Sequence, residues 1–358
     1  MYFIASIDIS KLVAYCYYNI NYFITRAHFM KTLSVNTHAK DAAGIKLILA
    51  EREKPNLNKN ECLIKVISSG VNPSDVLAVM GYFKHAVLPR IPGRDFSGIV
   101  IEGPSNLVGK QVWGTGGAAG ISFDGVQAEY IKLSVAEISE SPSTLDPIIA
   151  GAQPLPYITA YYSLVKRAHI VANETILVVG ALGQVGSAAM SVCRWKKCNS
   201  IALVRGIKEV AKASSQGWNA INSEDNNLSE KILEANNGRP VQVILNSVGN
   251  IYWQDFINVL AEFGRIVIIS ARENVREANI NLFNLYRANQ DIIGVNTVSL
   301  DFNANAKLLN ELKIGFEENK LTPLAVEQSM IYTPEQASQA YREVIQGSSG
   351  KRVVIKFI

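Results

Sequence analysis

Cysteine is scarce in this sequence, with four in 358 residues and none in a Cys-x-x-Cys pair. That leaves no disulfide framework and no zinc-knuckle spacing, and a reducing, cytoplasmic setting fits best. Histidine is as sparse, at His28, His38, His85 and His169, too scattered to build a metal centre on imidazoles. Charge of one sign is also missing. Lys and Arg total 35 against 31 Asp and Glu, a net of +4, which gives no reason to expect a nucleic-acid or membrane partner. No uninterrupted apolar run approaches the roughly 18 residues of a membrane span, and no internal repeat or low-complexity segment is evident. What is present is a 48% hydrophobic, 18% charged chain, the balance of a soluble globular protein with room for about two domains.

The first 29 residues, MYFIASIDISKLVAYCYYNINYFITRAHF, are rich in Tyr, Phe and Ile but interrupted by Asp8, Lys11 and Arg26. They lack the basic start, clean apolar centre and small-residue cleavage site of a secretory leader. Positive charge is sparse for a membrane-surface helix, and the stretch reads as an extension outside the fold. From Met30 to about Pro154, short alternating or apolar runs lie at Ile45–Ala50, Glu61–Ser68, Phe96–Glu102 and Lys110–Gly114. Gly114, Gly116, Gly117 and Gly120 punctuate them, the pattern of an all-β, barrel-like region.

From about Tyr157 to Leu300 strands alternate with helices. Candidate strands are Thr175–Val179, Ser200–Val204, Val241–Leu245, Arg265–Ser270 and Asp291–Val295. Helical spacing covers Gln184–Lys197, Ile207–Gln216, Leu228–Asn236 and Tyr252–Leu260. This alternation predicts the α/β class, a doubly wound parallel sheet of the Rossmann kind. Amphipathic helices at Ala304–Asn319 and Pro334–Gln346 and a closing strand at Lys351–Phe357 follow. The β region is therefore expected to use both chain ends: 30–155 with 301–358 around an inserted nucleotide domain, 156–300, behind the 1–29 extension.

The most informative segment begins at Thr175. A β-branched apolar strand, TILVV, runs into Gly180-Ala181-Leu182-Gly183-Gln184-Val185-Gly186 and then into an amphipathic helix. Strand, glycine turn and helix together let backbone N–H groups at a helix N-terminus hold a pyrophosphate. The second strand of the region ends at Val204-Arg205, about 20 residues beyond the last glycine, where an acidic residue would bind the ribose 2′-hydroxyl of NAD. Arginine cannot accept that hydroxyl proton but can pair with a 2′-phosphate, and Lys208 follows. These residues predict NADPH as the cofactor. No Asp or Glu occupies the strand tip, Glu209 lying too late in the sequence.

In the β region two segments stand out, Gly70-Val-Asn72-Pro73-Ser-Asp75 and Ile91-Pro-Gly93-Arg94-Asp95-Phe96-Ser-Gly98. With DGVQAEY at Asp124–Tyr130, ITAYYSL at Ile158–Leu164, the GALGQVG turn and a terminal GKRVVIKF, the chain resembles the medium-chain dehydrogenase/reductases. The resemblance is to their zinc-independent quinone oxidoreductase, or zeta-crystallin-like, branch, and it runs from Met30 to Ile358. It implies a GroES-like β-barrel catalytic domain beside the Rossmann domain. Ala181 stands where zinc alcohol dehydrogenases usually have a first glycine.

A catalytic zinc needs about three Cys, His or carboxylate ligands and an open position. By resemblance, the ligand positions fall on Asn72, Arg94 and near Leu155, and the four-cysteine structural lobe is absent. No metal is therefore expected. Without a Lewis acid, alcohol oxidation is disfavoured, while reduction of an electron-poor quinone or α,β-unsaturated carbonyl asks for less help.

The resemblance implies that Asn72 lies beside the nicotinamide and the substrate, where its amide can donate to a carbonyl oxygen without titrating; the plainer reading is an asparagine opening a turn before proline. Thr159 resembles a threonine near the nicotinamide, and reads equally as a buried strand or helix-start residue. The pocket tyrosines of the branch are replaced by Leu77 and Phe83, with Tyr82 one residue out of register, so solvent is an alternative proton source. Arg94 either contacts an anionic acceptor or pairs with Asp95, since a charge near a core needs a partner.

Asn246-Ser247-Val248-Gly249 follows the third candidate strand at the carboxyl edge of the sheet, where ligands bind in open α/β folds, and the family carries cofactor contacts there. Ser270-Ala271-Arg272 ends the next strand, near the nicotinamide or phosphate. Asp291–Leu300 resembles the strand through which these enzymes form homodimers, an apolar edge otherwise exposed. The expected activity is an NADPH-dependent reductase of quinones, alkenals or enones, small electrophilic acceptors. The alternatives are an enoyl-thioester (acryloyl-CoA-like) reductase and a non-catalytic NADPH-binding regulatory protein.

Overall fold

The computed structural model describes residues 28–271, 273–347 and 350–358. The extension assigned to 1–29 lies outside them except at its end. There the boundary moves: strand β1 begins at Phe29, which pairs with Glu53 of β2 (β1 Phe29–Ser34, β2 Ile48–Glu53). Among the described residues no helix is long and apolar enough to cross a membrane.

The β region is organised on one long strand, β3 (Glu61–Val71). Its one edge takes β4 (Asp95–Glu102), which continues to β5 (Gln111–Thr115). Its other edge is shared: β6 (Tyr130–Ser134) pairs with residues 61–65. The strand near the chain's end, Val353–Lys356, pairs with residues 68–71. The latter is β15, and its own parallel neighbour is β14 (Ile331–Tyr332); β7 (Ser139–Glu140) closes the far side on β5. Alternating buried residues of β3, β4 and β5, such as Ile64, Val66, Phe96, Val100 and Val112, fill this barrel. The helix α1 (Pro73–Val79) leaves β3 directly, its first residue a proline already fixed at a helical φ.

The second sheet is six-stranded and entirely parallel, in the order β10-β9-β8-β11-β12-β13. Its strands are β8 (Thr175–Val179), β9 (Asn199–Val204), β10 (Asn219–Asn222), β11 (Val241–Asn246), β12 (Leu260–Ile268) and β13 (Asp291–Gly294). Counted within the sheet this is 3-2-1-4-5-6, with the reversal of winding between β8 and β11. Every residue of β8 is buried. Ile176 and Val178 face one core, with α2 (Pro154–Tyr161) and α3 (Gln184–Trp195). Leu177 and Val179 face the other, with α5 (Leu228–Ala235) and α6 (Trp253–Val259). Two-sided burial is why this strand reads as a continuous apolar run.

Further helices are α4 (Ile207–Ser215), α7 (Leu282–Arg287), α8 (Phe302–Glu317) and α9 (Ala337–Ile345). In the parallel sheet two strand expectations change. β10 has no counterpart in the sequence reading, and β12 starts at Leu260 rather than Arg265. A register shift and the positive φ of Phe263 break β12's pattern after its first residues.

Candidate active site

The turn after β8 is shaped by backbone crowding. Gly180 has φ of +70°, the left-handed region that favours glycine. A Cβ at Gly186 would run into the carbonyl oxygen of Gly180 and the backbone of Ala181. Gly183 N–H donates to Gly180 O (2.9 Å), and the first helical bond runs from Ser187 N–H to Gly183 O (2.8 Å). Amides at the start of α3 therefore have no partner within the helix, and they sit at the positive end of its dipole. Ala181 is buried, Leu182, Gln184 and Val185 are half-buried, and Gly180 and Gly183 are open to solvent. Opposite, Ser247 Oγ donates to Val179 O across the sheet (2.9 Å). Asn246 folds its own loop, accepting from Val248 N–H (3.0 Å) and donating to Gly249 O (2.8 Å). The sequence thus placed two loops that the fold brings together at the switch point. Ser270 is exposed just beyond β12, and Arg272 lies outside the described residues.

Arg205 follows the last residue of β9 and is 82% exposed at its side chain. Its Nε lies 3.0 Å from Glu224 Oε1, and that pairing raises the guanidinium's pKa. This corrects the expectation that no carboxylate attends the strand tip: Glu224 arrives from beyond β10, the strand the sequence hid. Asn222 holds the arrangement, accepting from both Gly206 N–H (2.7 Å) and Glu224 N–H (3.1 Å). Lys208 is exposed in the first turn of α4.

The residues around Asn72 form a buried network. Asn72 occupies the N-cap of α1, in a capping box with Asp75, whose carboxylate accepts the Asn72 backbone N–H. Its Nδ2 donates to Asp95 Oδ2 (3.0 Å), and its Oδ1 accepts from Arg352 Nη1 (3.0 Å). Arg352 Nη2 also reaches Asp95 Oδ2 at 3.4 Å. Asn72, Asp95 and Arg352 are 2%, 0% and 2% exposed. Burial pushes the Asp95 carboxyl up to about 6, against the opposing pull of Arg352 and the Asn72 amide. Burial pushes the Arg352 guanidinium down, and Asp95 beside it restores part of the shift.

Arg94 does not pair with Asp95. Neighbours at the start of an extended strand point to opposite faces, and Arg94 instead meets Asp75 Oδ1 (3.2 Å), Gly117 O (3.2 Å) and Ser74 Oγ. Asp75 in turn accepts from Asn72 N–H (2.8 Å).

Thr159 joins this network indirectly. It lies in α2 and its Oγ1 donates to Leu155 O (2.8 Å), while Leu155 N–H donates to Asp95 Oδ1 (3.1 Å). Tyr82 is 59% exposed and is not joined to the network; Leu77 and Phe83 are half-buried. Arg352 lies in the terminal GKRVVIKF segment, which reads in sequence only as a closing strand and not as part of a site. Gln184 Nε2 donates to Gly350 O (2.6 Å), tying the glycine turn to the chain two residues before Arg352.

Family models match residues 58–143, an alcohol dehydrogenase GroES-like domain, and residues 185–312, a zinc-binding dehydrogenase domain. A zinc-type alcohol dehydrogenase-like protein of Schizosaccharomyces pombe is 31% identical over 304 residues, 84% of this chain and 89% of that protein. The chain belongs to the medium-chain dehydrogenase/reductase family. Human quinone oxidoreductase is 27% identical over 302 residues, 83% of this chain and 89% of its own length, and the zeta-crystallin-like branch is where this member falls. Among solved structures, AibC superposes with a TM-score of 0.80 at 19% identity, covering 92% of this chain and 96% of that one. A putative NADPH:quinone reductase from Bacillus thuringiensis gives 0.78 at 19% identity, covering 92% and 99%. Both share the fold, a GroES-like barrel beside a Rossmann sheet.

Members of this family bind a nicotinamide cofactor, and the crowded glycine turn at the switch point fits one: the backbone can approach a pyrophosphate only where Cβ atoms are missing. Zinc, which some relatives' names mention, is not suited by the donors here. Among the described residues no group of three or more His, Cys, Asp and Glu side chains could hold a metal ion. The carboxylates nearest Asn72 are already engaged by Arg94 and Arg352, so a cation would have to share the space with guanidinium groups.

Proposed function

We propose that this chain is an NADPH-dependent reductase of quinones or α,β-unsaturated carbonyl compounds that works by direct hydride transfer without zinc. The observation that carries the reading is the neutral, hydrogen-bonding carboxamide of Asn72, set in a buried network where metal-dependent relatives need ligands. Bound NADPH supplies the hydride, and with it the electron pair. The residues of the chain then do the rest. The amides of 180–186 and the Asn246–Val248 loop would hold the dinucleotide, with Thr159 and Ser270 assigned to its nicotinamide end. Asn72 donates an N–H to the acceptor's carbonyl oxygen, where negative charge collects as hydride arrives. A proton from solvent, or from Tyr82 at the surface, completes the reduction to hydroquinone or saturated carbonyl.

Arg205 supports NADPH over NADH. Glu224 takes its Nε, and the two terminal nitrogens remain to grip a 2′-phosphate; Lys208 adds charge nearby. We further divide the chain into a barrel domain, 30–155 with 301–358, and a cofactor domain, 156–300. A homodimer formed by the β13 edge, 291–300, is in keeping with the exposed Leu282, Phe283 and Tyr286 on the adjoining α7. A cytoplasmic location accords with the scarcity of cysteine.

The test is NADPH oxidation with 1,4-benzoquinone, an alkenal and crotonyl-CoA, each with the wild type and with Asn72→Ala. Turnover of a quinone or alkenal, reduced in the variant, is the expected result. Preference for crotonyl-CoA would move the assignment to enoyl-thioester reduction. Tight NADPH binding with all three inert would leave a non-catalytic NADPH-binding protein.

A further inference from the structure

We propose that Arg352 and Asp95 are positioning residues that clamp the Asn72 carboxamide in one orientation, so that an N–H and not the carbonyl faces the acceptor. The proposal rests on the reading of function above, and it assigns a role to an arginine that lies 280 residues from the asparagine it holds.

A carboxamide has nearly the same shape either way round; only its hydrogen bonds distinguish nitrogen from oxygen. Here both ends are read. Asp95 Oδ2 accepts from Nδ2, and Arg352 Nη1 donates to Oδ1, each at 3.0 Å. Turning the amide over would set carbonyl oxygen against carboxylate and N–H against guanidinium, two like-sign contacts in place of two charge-assisted bonds. Because the group is buried, water cannot relieve either contact.

The jaws of the clamp cannot follow the amide if it rotates, since each is tied to main chain. Arg352 Nε donates to Ala152 O at 2.7 Å, and Asp95 Oδ1 accepts from Leu155 N–H at 3.1 Å. Asn72 itself is anchored from below by Asp75, which takes its backbone N–H and is paired with Arg94. Nδ2 carries two hydrogens and Asp95 takes one, so the clamp fixes the direction of the other. In a site without a Lewis acid, that N–H is the electrophilic contact on which hydride transfer depends, and an amide free to flip would offer its oxygen for part of the time.

The test uses the full-length protein selectively labelled with 15N-asparagine. The Asn72 side-chain signals are assigned by their absence from Asn72→Ala. In the wild type their solvent exchange is expected to be slow, and at least about tenfold faster in Arg352→Lys, which keeps the charge but loses the planar fork. In turnover, Arg352→Lys is expected to lower kcat by roughly tenfold or more while the NADPH Kd stays within about threefold. The double variant Asn72→Ala/Arg352→Lys should be no more than about twofold slower than Asn72→Ala alone, because no amide remains to be held.

Losses that multiply in the double variant, or unchanged exchange in Arg352→Lys, would overturn the clamp. Should Arg352→Lys fail to fold, Asp95→Asn opens the other jaw and must meet the same non-additivity. If the wild type turns over no acceptor, the functional reading fails while the exchange comparison still decides the clamp.

Discussion

The glycine turn at 180–186 and the network around Asn72 are made by opposite means. The turn presents main-chain amides from consecutive residues, and its side chains matter chiefly by being small. The network presents side chains from β3's end, the start of β4 and the start of β15, and its backbone matters chiefly as an anchor. A backbone site tolerates any sequence that leaves its path open and fails abruptly when the path closes. A side-chain site loses function in steps, one bond at a time, and each step leaves a distinct trace.

The hardest test of that contrast is Gly186→Val. Its Cβ would meet the backbone of Gly180 and Ala181, and NADPH affinity should fall by about 100-fold or more, read by fluorescence titration with the fold checked by circular dichroism. Asn72→Ala should do the reverse: kcat down by roughly 100-fold with NADPH affinity nearly unchanged. Arg205→Asp should weaken NADPH by about tenfold and NADH far less, measured as the ratio of the two dissociation constants; equal losses would remove the 2′-phosphate argument.

Acidity offers a subtler probe. The Asp95 carboxyl, held up to about 6 by burial, is ionised above that pH and protonated below it. Arg352 just before β15, Asp75 of α1, Asn72 and Thr115 of β5 face it. Protonation replaces an acceptor with a neutral acid and loosens the grip on Asn72. Turnover should therefore decline as pH drops through about 6, with NADPH binding to the turn flat, and Asp95→Asn should lack that acidic limb. The smallest effect is expected for Glu224→Gln, which frees exposed Arg205 and should tighten NADPH by only a fewfold, as befits a surface pair.

The same contrast decides what could be read from sequence. β8, the glycine turn and α3 are legible because strand, turn and helix follow one another, and local pattern suffices. The barrel's use of both chain ends was legible from the closing strand. Arg352 was not, because its meaning comes from Asn72 and Asp95; within GKRVVIKF it reads as one more cation at the start of the closing strand. Glu224 was hidden for a related reason. β10 is only Asn219–Asn222, half-exposed at the sheet's edge, so it carries no apolar run to reveal it, and without β10 the residue following it has no reason to meet Arg205. The pairing of Arg94 with Asp95 failed on a local rule that sequence did contain: adjacent residues in an extended chain look away from each other.

The joining of β15 to residues 68–71 of β3 also bears on how the molecule is made. As the chain leaves the ribosome, β3 must wait for well over 200 further residues before its partner exists. Meanwhile the parallel sheet, 175–294, can form in full. The half-built barrel carries an unpaired strand edge throughout that interval, and the network on Asn72 is completed only when β15 docks and brings Arg352 to it. Nascent chains stalled before Arg352 should thus lack the clamp on Asn72 and leave that edge of β3 open to other strands.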